Sequence, residues 1–105
     1  MKDAAIFKAL ADPTRRQILA DLSEGELAAG DIASRFAISA PSISRHLAIL
    51  KNAELVSERR EANRIIYRLE SETLAVSLSR FLSNVCPAQV VVRKRAQRRT
   101  AHGRA

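Results

Sequence analysis

Apolar residues recur every three or four positions through the first half of the chain, which is the spacing of amphipathic α-helices. The second predicted helix begins at Asp12 and Pro13, a pair typical of an N-cap and a first helical position, and the fourth begins with Ser39 and Pro41 in the same way. Four helices are predicted, at about residues 3–10, 13–23, 28–36 and 40–52. Because only a tight turn at residues 37–39 joins the last two, they form a predicted helix-turn-helix.

The period then changes from helical to alternating, which is typical of strands. Segments 55–60 and 64–69 predict a β-hairpin with a turn at 61–63, in which Asn63 is expected to adopt the left-handed conformation. The hairpin residues expected to face the rest of the domain are Ile65, Tyr67 and Leu69. A last helix is predicted from residue 71 to 86. The predicted fold is therefore mainly α with one β-hairpin, a winged helix-turn-helix.

The fourth helix has an apolar side and a polar side. Successive residues lie about 100° apart on a helix, so Ile43 and Leu47 share one side while Ser44 and Arg45 project from the other. Hydroxyls near a helix N-terminus favour a phosphate, and an arginine can donate two hydrogen bonds to guanine. His46 borders the apolar side and is interpreted as a packing or capping residue. The DNA-binding residues predicted here are Ser39, Ser42, Ser44, Arg45, Ala48, Ile49 and Lys51. The alternative is an ordinary amphipathic helix with a solvated face.

Arginines surround the turn of the predicted hairpin. Such a cluster can reach a phosphate backbone or a narrow minor groove, whose negative potential attracts arginine. The hairpin residues predicted to contact DNA are Arg59, Arg60, Asn63 and Arg64. Glu58 and Glu61 lie beside these arginines, so simple ion pairs on a solvated hairpin are the alternative.

The charge is uneven along the chain. The 105 residues carry a formal net charge of +7, yet residues 1–92 hold 12 Lys and Arg against 11 Asp and Glu, and residues 93–105 hold 6 Lys and Arg with no acid. A basic excess favours an anionic partner such as nucleic acid. The predicted organisation is a folded DNA-binding and dimerisation domain, residues 1–87, and a basic, disordered tail, residues 88–105. The tail either adds phosphate contacts or only aids solubility.

Composition narrows the classes of function. The single cysteine, Cys86, excludes an internal disulfide and fits a reducing cytoplasm. No apolar run reaches the roughly 18 to 20 residues of a membrane span, so a cytoplasmic protein without stable membrane insertion is expected. One Tyr, three Phe and no Trp argue against a stacking platform for single strands, which favours duplex DNA. Because no glycine-rich phosphate loop or nucleophile motif is present, no enzyme is expected.

Three segments in the same order resemble the ArsR/SmtB family of bacterial winged-helix regulators. They are FKALADPTRRQIL at 7–19, SAPSISRHL at 39–47 followed by LKNAELV at 50–56, and RREANRIIYRL at 59–69. The likeness covers residues 3 to about 86, and the runs AGDIA and PSIS resemble most its SdpR-like autorepressor branch. The resemblance implies a homodimer formed by the first and last helices, with one recognition helix and one wing per subunit. It also implies repression by blocking a promoter, often the regulator's own.

Departures from the family pattern predict a member without a metal. Metal-sensing relatives carry ELCVCDL where this chain has ELAAGDI at residues 26–32, and soft metals need thiolate ligands. The other family site uses Asp, His and Glu on the last helix, which has none of them from Leu74 to Cys86. No metal or cofactor is therefore expected. Cys86 is interpreted as a packed residue, and a thiol switch between subunits or with a small thiol is the alternative.

The last predicted helix is apolar over more than one stripe. A helix at the end of a small domain needs to bury only one face, so the extra width favours packing on its own domain and on a second subunit. The residues predicted at the dimer interface are Ile6, Phe7, Leu74, Leu78, Phe81, Leu82 and Val85. The alternative is a broad intramolecular face with no dimer.

The predicted function is sequence-specific transcriptional repression. A homodimer is expected to bind an inverted repeat in double-stranded DNA, including the promoter of its own gene. The alternative is a winged-helix protein-interaction module, controlled by a sequestering protein or membrane partner. Steep weakening of binding with rising salt is expected of the DNA-binding protein.

Overall fold

The predicted helices and strands are all present in the computed structural model, which describes residues 2–87. In chain order the elements are α1 (Lys2–Leu10), α2 (Pro13–Leu22), β1 (Leu27–Ala28), α3 (Ala29–Ala33), α4 (Ala40–Asn52), β2 (Val56–Glu61), β3 (Arg64–Leu69) and α5 (Ser71–Val85). The chain divides into two units, residues 1–74 and 75–105. The predicted basic tail lies outside the described residues.

Side-chain caps begin the two helices that the sequence marks most clearly. Asp12 has extended backbone angles, and its carboxylate accepts a hydrogen bond of 3.1 Å from the backbone N–H of Arg15. The hydroxyl of Ser39 accepts one of 3.3 Å from the backbone N–H of Ser42. Each cap satisfies an N–H that the first helical turn leaves without a partner, so both predicted N-caps are confirmed.

Helix α4 ends in a Schellman motif without a glycine. The backbone N–H of Leu55 donates to the carbonyl of Leu50 at 3.0 Å, and Glu54 adopts the left-handed conformation with φ 62°. Glycine is the usual residue at that position, because a Cβ is strained there. The motif turns the chain sharply, so that Leu55 and Val56 enter the core at the start of the next strand.

The third helix is shorter than predicted because its flanking residues form a strand on one side and tight turns on the other. Ala28 belongs to β1, where it pairs with Ile66. After Ala33 the chain continues in tight turns, since the N–H groups of Arg35 and Phe36 bond to carbonyls three residues back. The helix-turn-helix is therefore a five-residue α3, a longer turn and α4.

The sheet has one strand more than the sequence predicted. Its order is β1-β3-β2 with both pairings antiparallel, so β3 is central. Both Ile66 and Tyr67 are buried, although they lie on opposite faces and only Tyr67 was expected to be covered. At the hairpin turn it is Ala62, with φ 59°, that takes the positive φ predicted for Asn63. Strands β2 and β3 with this turn are called the wing below.

The core lies within residues 1–74 and joins the helices to the wing. Its most deeply buried side chains are Ile6, Ile18, Ile32, Ile43, Leu50 and Leu55. Ile6 is only 1% exposed, so the structure places it in the core and corrects its assignment to the dimer interface. The next residue, Phe7, is exposed as an interface residue would be. No helix within residues 2–87 is long and apolar enough to cross a bilayer.

Candidate nucleic-acid interface

Helix α4 presents a polar side to solvent because its apolar side is fully used. Ile43, Leu47 and Leu50 are buried, and α4 packs against α1, α2 and α3. Ser44, Arg45 and Ala48 lie on the opposite side and are exposed. Burial of one stripe thus fixes the rotation of the helix and leaves the other stripe available for a groove of DNA.

Arg45 is the exposed cation of this side. Within residues 2–87 its guanidinium has no hydrogen-bond or ion-pair partner. A guanidinium that holds no carboxylate keeps its planar fork available for a base edge or a phosphate. The neighbouring cap serines are partly engaged, because the hydroxyl of Ser39 donates to that of Ser42 at 2.9 Å.

Two predicted DNA-contacting residues near the end of α4 have roles within the fold. Ile49 is half-buried and packs against the core, so less of it is available to a base than the sequence suggested. Lys51 forms an ion pair with Glu58 of β2, which links α4 to the wing. The Lys51 ammonium lowers the pKa of Glu58, and burial together with the Glu58 carboxylate raises the pKa of Tyr67 to about 12.

An arginine that sequence analysis did not single out organises the other edge of α4. Arg15 is buried on α2, and its Nε and Nη2 donate to the backbone carbonyls of Ala9 and Lys8 at 2.7 and 2.9 Å. Its Nη1 lies 3.1 Å from Nδ1 of His46, which must accept because a guanidinium can only donate. Arg16 similarly donates to the carbonyl of Leu10 at 2.7 Å. The neighbouring arginines therefore cap the C-terminus of α1, and Arg15 also bonds to α4 through His46.

The spacing of Arg15 from the apolar residues of α2 indicates that its side chain is buried. It precedes Ile18 by three residues and Leu19 by four, so it lies on the buried side of α2. His46 is half-buried and bonded to Arg15, which confirms its interpretation as a packing residue.

Replacing Arg15 with alanine is expected to lower the free energy of unfolding by about 3 kcal/mol. The change removes three hydrogen bonds made by a charged group, and it takes the side-chain donor from the carbonyl of Ala9 and one of two donors from that of Lys8. Urea denaturation followed by circular dichroism measures the loss. Arg16→Ala is the matched control, because Arg16 is exposed, and it should cost less than about 1 kcal/mol. Equal losses in the two variants would contradict this role of Arg15.

The Asp12 cap makes stability depend on acid pH. The backbone N–H of Arg15 lowers the pKa of Asp12 below its ordinary value of 3.8. A carboxylate with a lowered pKa stabilises the fold above its unfolded pKa, and this stabilisation is lost as the pH falls through the folded pKa. We expect the melting temperature of wild type to exceed that of Asp12→Asn above pH 4, and the difference to vanish at lower pH. A difference that stays constant from pH 7 to pH 2 would refute a charge contribution.

The wing arginines lie on two faces of the hairpin. Arg59 pairs with Ile66 across the strands and shares that face with Arg64, whereas Arg60 is opposite Ile65 and lies on the other face. Arg59 forms ion pairs with Glu26 at 2.8 Å and Glu61 at 3.0 Å, and the Glu26 carboxylate raises its pKa.

The remaining wing residues differ in their partners. Arg64 forms an ion pair with Asp31 of α3 at 3.2 Å. Among the described residues, the side chain of Arg60 has no hydrogen-bond or ion-pair partner, and Asn63 is exposed at the turn. The alternative of local pairing with Glu61 thus holds for Arg59. The acids that connect Arg59 and Arg64 to the rest of the domain, Glu26 and Asp31, are distant in the sequence.

The predicted dimer residues other than Ile6 vary in exposure. Phe81 is 45% exposed, Leu82 and Val85 are also exposed, and Leu78 is half-buried. Leu74 packs against the core of its own chain. The part of the chain described here contains no group of three or more His, Cys, Asp or Glu side chains placed to hold a metal ion.

The helix-turn-helix, the three-stranded sheet and the exposed side of α4 define a winged helix-turn-helix protein. The chain belongs to the ArsR family: residues 12–58 match the family model described as bacterial regulatory protein, arsR family. It is 50% identical over 78 residues to the transcriptional repressor SdpR of Bacillus subtilis. The aligned segment covers 74% of this chain and 87% of that protein.

Two further comparisons agree with this membership. The arsenical resistance operon repressor of Staphylococcus xylosus is 42% identical over 71 residues, 68% of each chain. The structure of an ArsR-like transcriptional regulator from Rhodococcus sp. RHA1 superposes with a TM-score of 0.72 at 30% identity, over 95% of this chain and 92% of that one. The family and these relatives are transcription regulators, so the chain is a DNA-binding regulator by descent.

Proposed function

We propose that this protein is a homodimeric repressor that binds an inverted-repeat operator and controls its own promoter. The observation that carries the proposal is the exposed side of α4, where Arg45 has no partner within residues 2–87 while the apolar stripe behind it is buried. An arginine in that position can donate two hydrogen bonds to guanine in the major groove. The similarity to two proteins named as repressors supports repression as the outcome.

A homodimer gives the operator its symmetry. Phe7 on α1 and the α5 residues Phe81, Leu82 and Val85 are exposed apolar side chains, which favours contact with a second copy. Two recognition helices in such a dimer are expected to lie about 34 Å apart, one turn of DNA, over two half-sites. The predicted operator is therefore palindromic.

Repression by this chain is proposed to proceed without a metal at the positions used by metal-sensing relatives. The segment ELAAGDI at 26–32 has no cysteine, and the last helix has no His, Asp or Glu between Leu74 and Cys86. Soft metals require thiolates, and zinc or nickel requires imidazole or carboxylate ligands. The inducing event in this chain is then a change other than metal loading of those two sites.

The decisive experiment uses the DNA immediately upstream of the chain's own coding region. Purified full-length protein should retard a fragment with an inverted repeat, and a scrambled fragment of the same length should bind far more weakly. For about six phosphate contacts, affinity should fall roughly 10³-fold between 50 and 200 mM salt. Equal affinity for both fragments would overturn the operator proposal. Absence of any salt-dependent duplex binding would favour the protein-interaction module instead.

A further inference from the structure

The two arginines on one face of the wing are held by carboxylates from distant parts of the chain. Arg59 lies 2.8 Å from Glu26, which precedes β1, and Arg64 lies 3.2 Å from Asp31 on α3. The sequence separations are 33 residues in both cases, so the fold brings these acids to the wing. Glu61, by contrast, is a neighbour of Arg59 in the same strand.

All four side chains are accessible to an incoming ligand. The exposed fractions are 50% for Arg59, 39% for Glu26, and 59% for both Arg64 and Asp31. A guanidinium binds a carboxylate and a phosphate with the same planar fork of N–H donors. A DNA phosphate that approaches this face therefore competes with the carboxylate for the guanidinium.

We propose that Glu26 and Asp31 compete with DNA phosphates for Arg59 and Arg64 and so lower the sequence-independent affinity of the protein for duplex DNA. The inference rests on the proposed function, because it takes duplex DNA as the partner. The acids act on phosphate contacts alone, whereas the exposed side of α4 meets the bases. The competition therefore sets how tightly the protein holds any DNA and leaves the choice of sequence to Arg45.

Because the charge of residues 1–92 is nearly balanced, this competition has a large effect on DNA affinity. That segment has a net charge of only +1, from 12 basic and 11 acidic residues, so a few ion pairs decide how much positive charge the wing offers to DNA. Each exposed ion pair changes an equilibrium constant by about twofold, and a dimer holds four such pairs. Their removal is expected to strengthen duplex binding by about tenfold.

The test compares full-length wild type with Glu26→Gln/Asp31→Asn on a scrambled duplex by fluorescence anisotropy. At 50 mM salt the double variant should bind about tenfold more tightly. The gain should shrink as salt rises, since two more phosphates per subunit, four per dimer, steepen the slope of log affinity against log salt by up to about 3.6. Unchanged or weaker binding would overturn the proposal, because the acids would then be neutral or would position the arginines for DNA.

Two further variants separate the local competition from general charge. Glu24→Gln/Glu72→Gln removes the same two charges from exposed acids that form no ion pair in the described part of the chain, and it should gain much less. The second comparison uses proteins that carry Arg59→Ala and Arg64→Ala. Between two such proteins, the Glu26→Gln/Asp31→Asn change should give no gain in affinity. A gain of equal size in the Glu24 and Glu72 variant, or one that survives loss of both arginines, would refute the assignment.

Failure of this inference is distinguishable from failure of the proposed function. Operator recognition is judged by the ratio of wild-type affinities for the upstream fragment and the scrambled duplex. The competition is judged on the scrambled duplex alone, by comparing protein variants. A wild type without operator preference would therefore end the repressor proposal while leaving this comparison meaningful.

Discussion

Arg45→Ala is expected to abolish most of the preference for the operator over a scrambled duplex. One bidentate contact between arginine and guanine contributes about 1 to 3 kcal/mol of discrimination, and the proposed dimer would make two such contacts. The expected loss is therefore about 4 kcal/mol, or roughly 10³-fold in the ratio of affinities. The fold should be unaffected, since Arg45 is exposed and its side chain makes no hydrogen bond within residues 2–87. Anisotropy titrations on both duplexes measure the ratio.

Arg60→Ala is the matched comparison for Arg45→Ala. Arg60 is also exposed and without an ion-pair partner in residues 2–87, but it lies on the wing. Its loss should weaken binding to all sequences by a similar factor, because a phosphate contact carries no sequence information. If Arg45→Ala likewise weakened both duplexes equally, Arg45 would be a phosphate contact and the base-reading role would be wrong.

Phe81→Asp is expected to convert the protein to monomers and to remove operator binding with it. Phe81 is 45% exposed on α5 in the single chain, and burial of an aspartate at an apolar interface without a partner is unfavourable by several kcal/mol for each copy. A symmetric dimer carries the cost twice, so the dimer dissociation constant should rise by more than about 10³-fold. Sedimentation velocity measures the change.

Val76→Asp is the control for this interface. Val76 is similarly exposed on α5, but the helical spacing puts it on the side opposite Leu74 and Phe81. The variant should remain dimeric and bind the operator. A dimer that survives Phe81→Asp, or dissociation caused by Val76→Asp, would show that the subunits meet through a different face.

Local patterns were sufficient for the positions of the helices and the wing. Asp12 and Ser39 were identifiable as caps because an N-cap depends only on the next three residues. The buried stripe of α4 followed from spacing alone, since Ile43 and Leu47 lie one turn apart. The exposure of Arg45 is a direct consequence of that stripe.

Position in the completed sheet decided what local patterns could not. The two-residue strand β1 has no period to detect, and it exists because Leu27 and Ala28 pair with β3. Its addition makes β3 central and buries Ile66 as well as Tyr67. The left-handed residue at the hairpin turn, Ala62, likewise follows from the register of the strands rather than from residue preference.

The chain alone therefore specified its helices and its hairpin, the caps of α2 and α4 and the outward side of α4, because these depend on neighbours a few residues apart. Folding in three dimensions chose the partners of the charged groups. Arg15 meets His46 across 31 residues, and Arg64 meets Asp31 across 33. In an unfolded chain an arginine can meet many acidic side chains. Only packing of the helices against the sheet determines which of them becomes its partner. That selection determines which cations remain available to DNA.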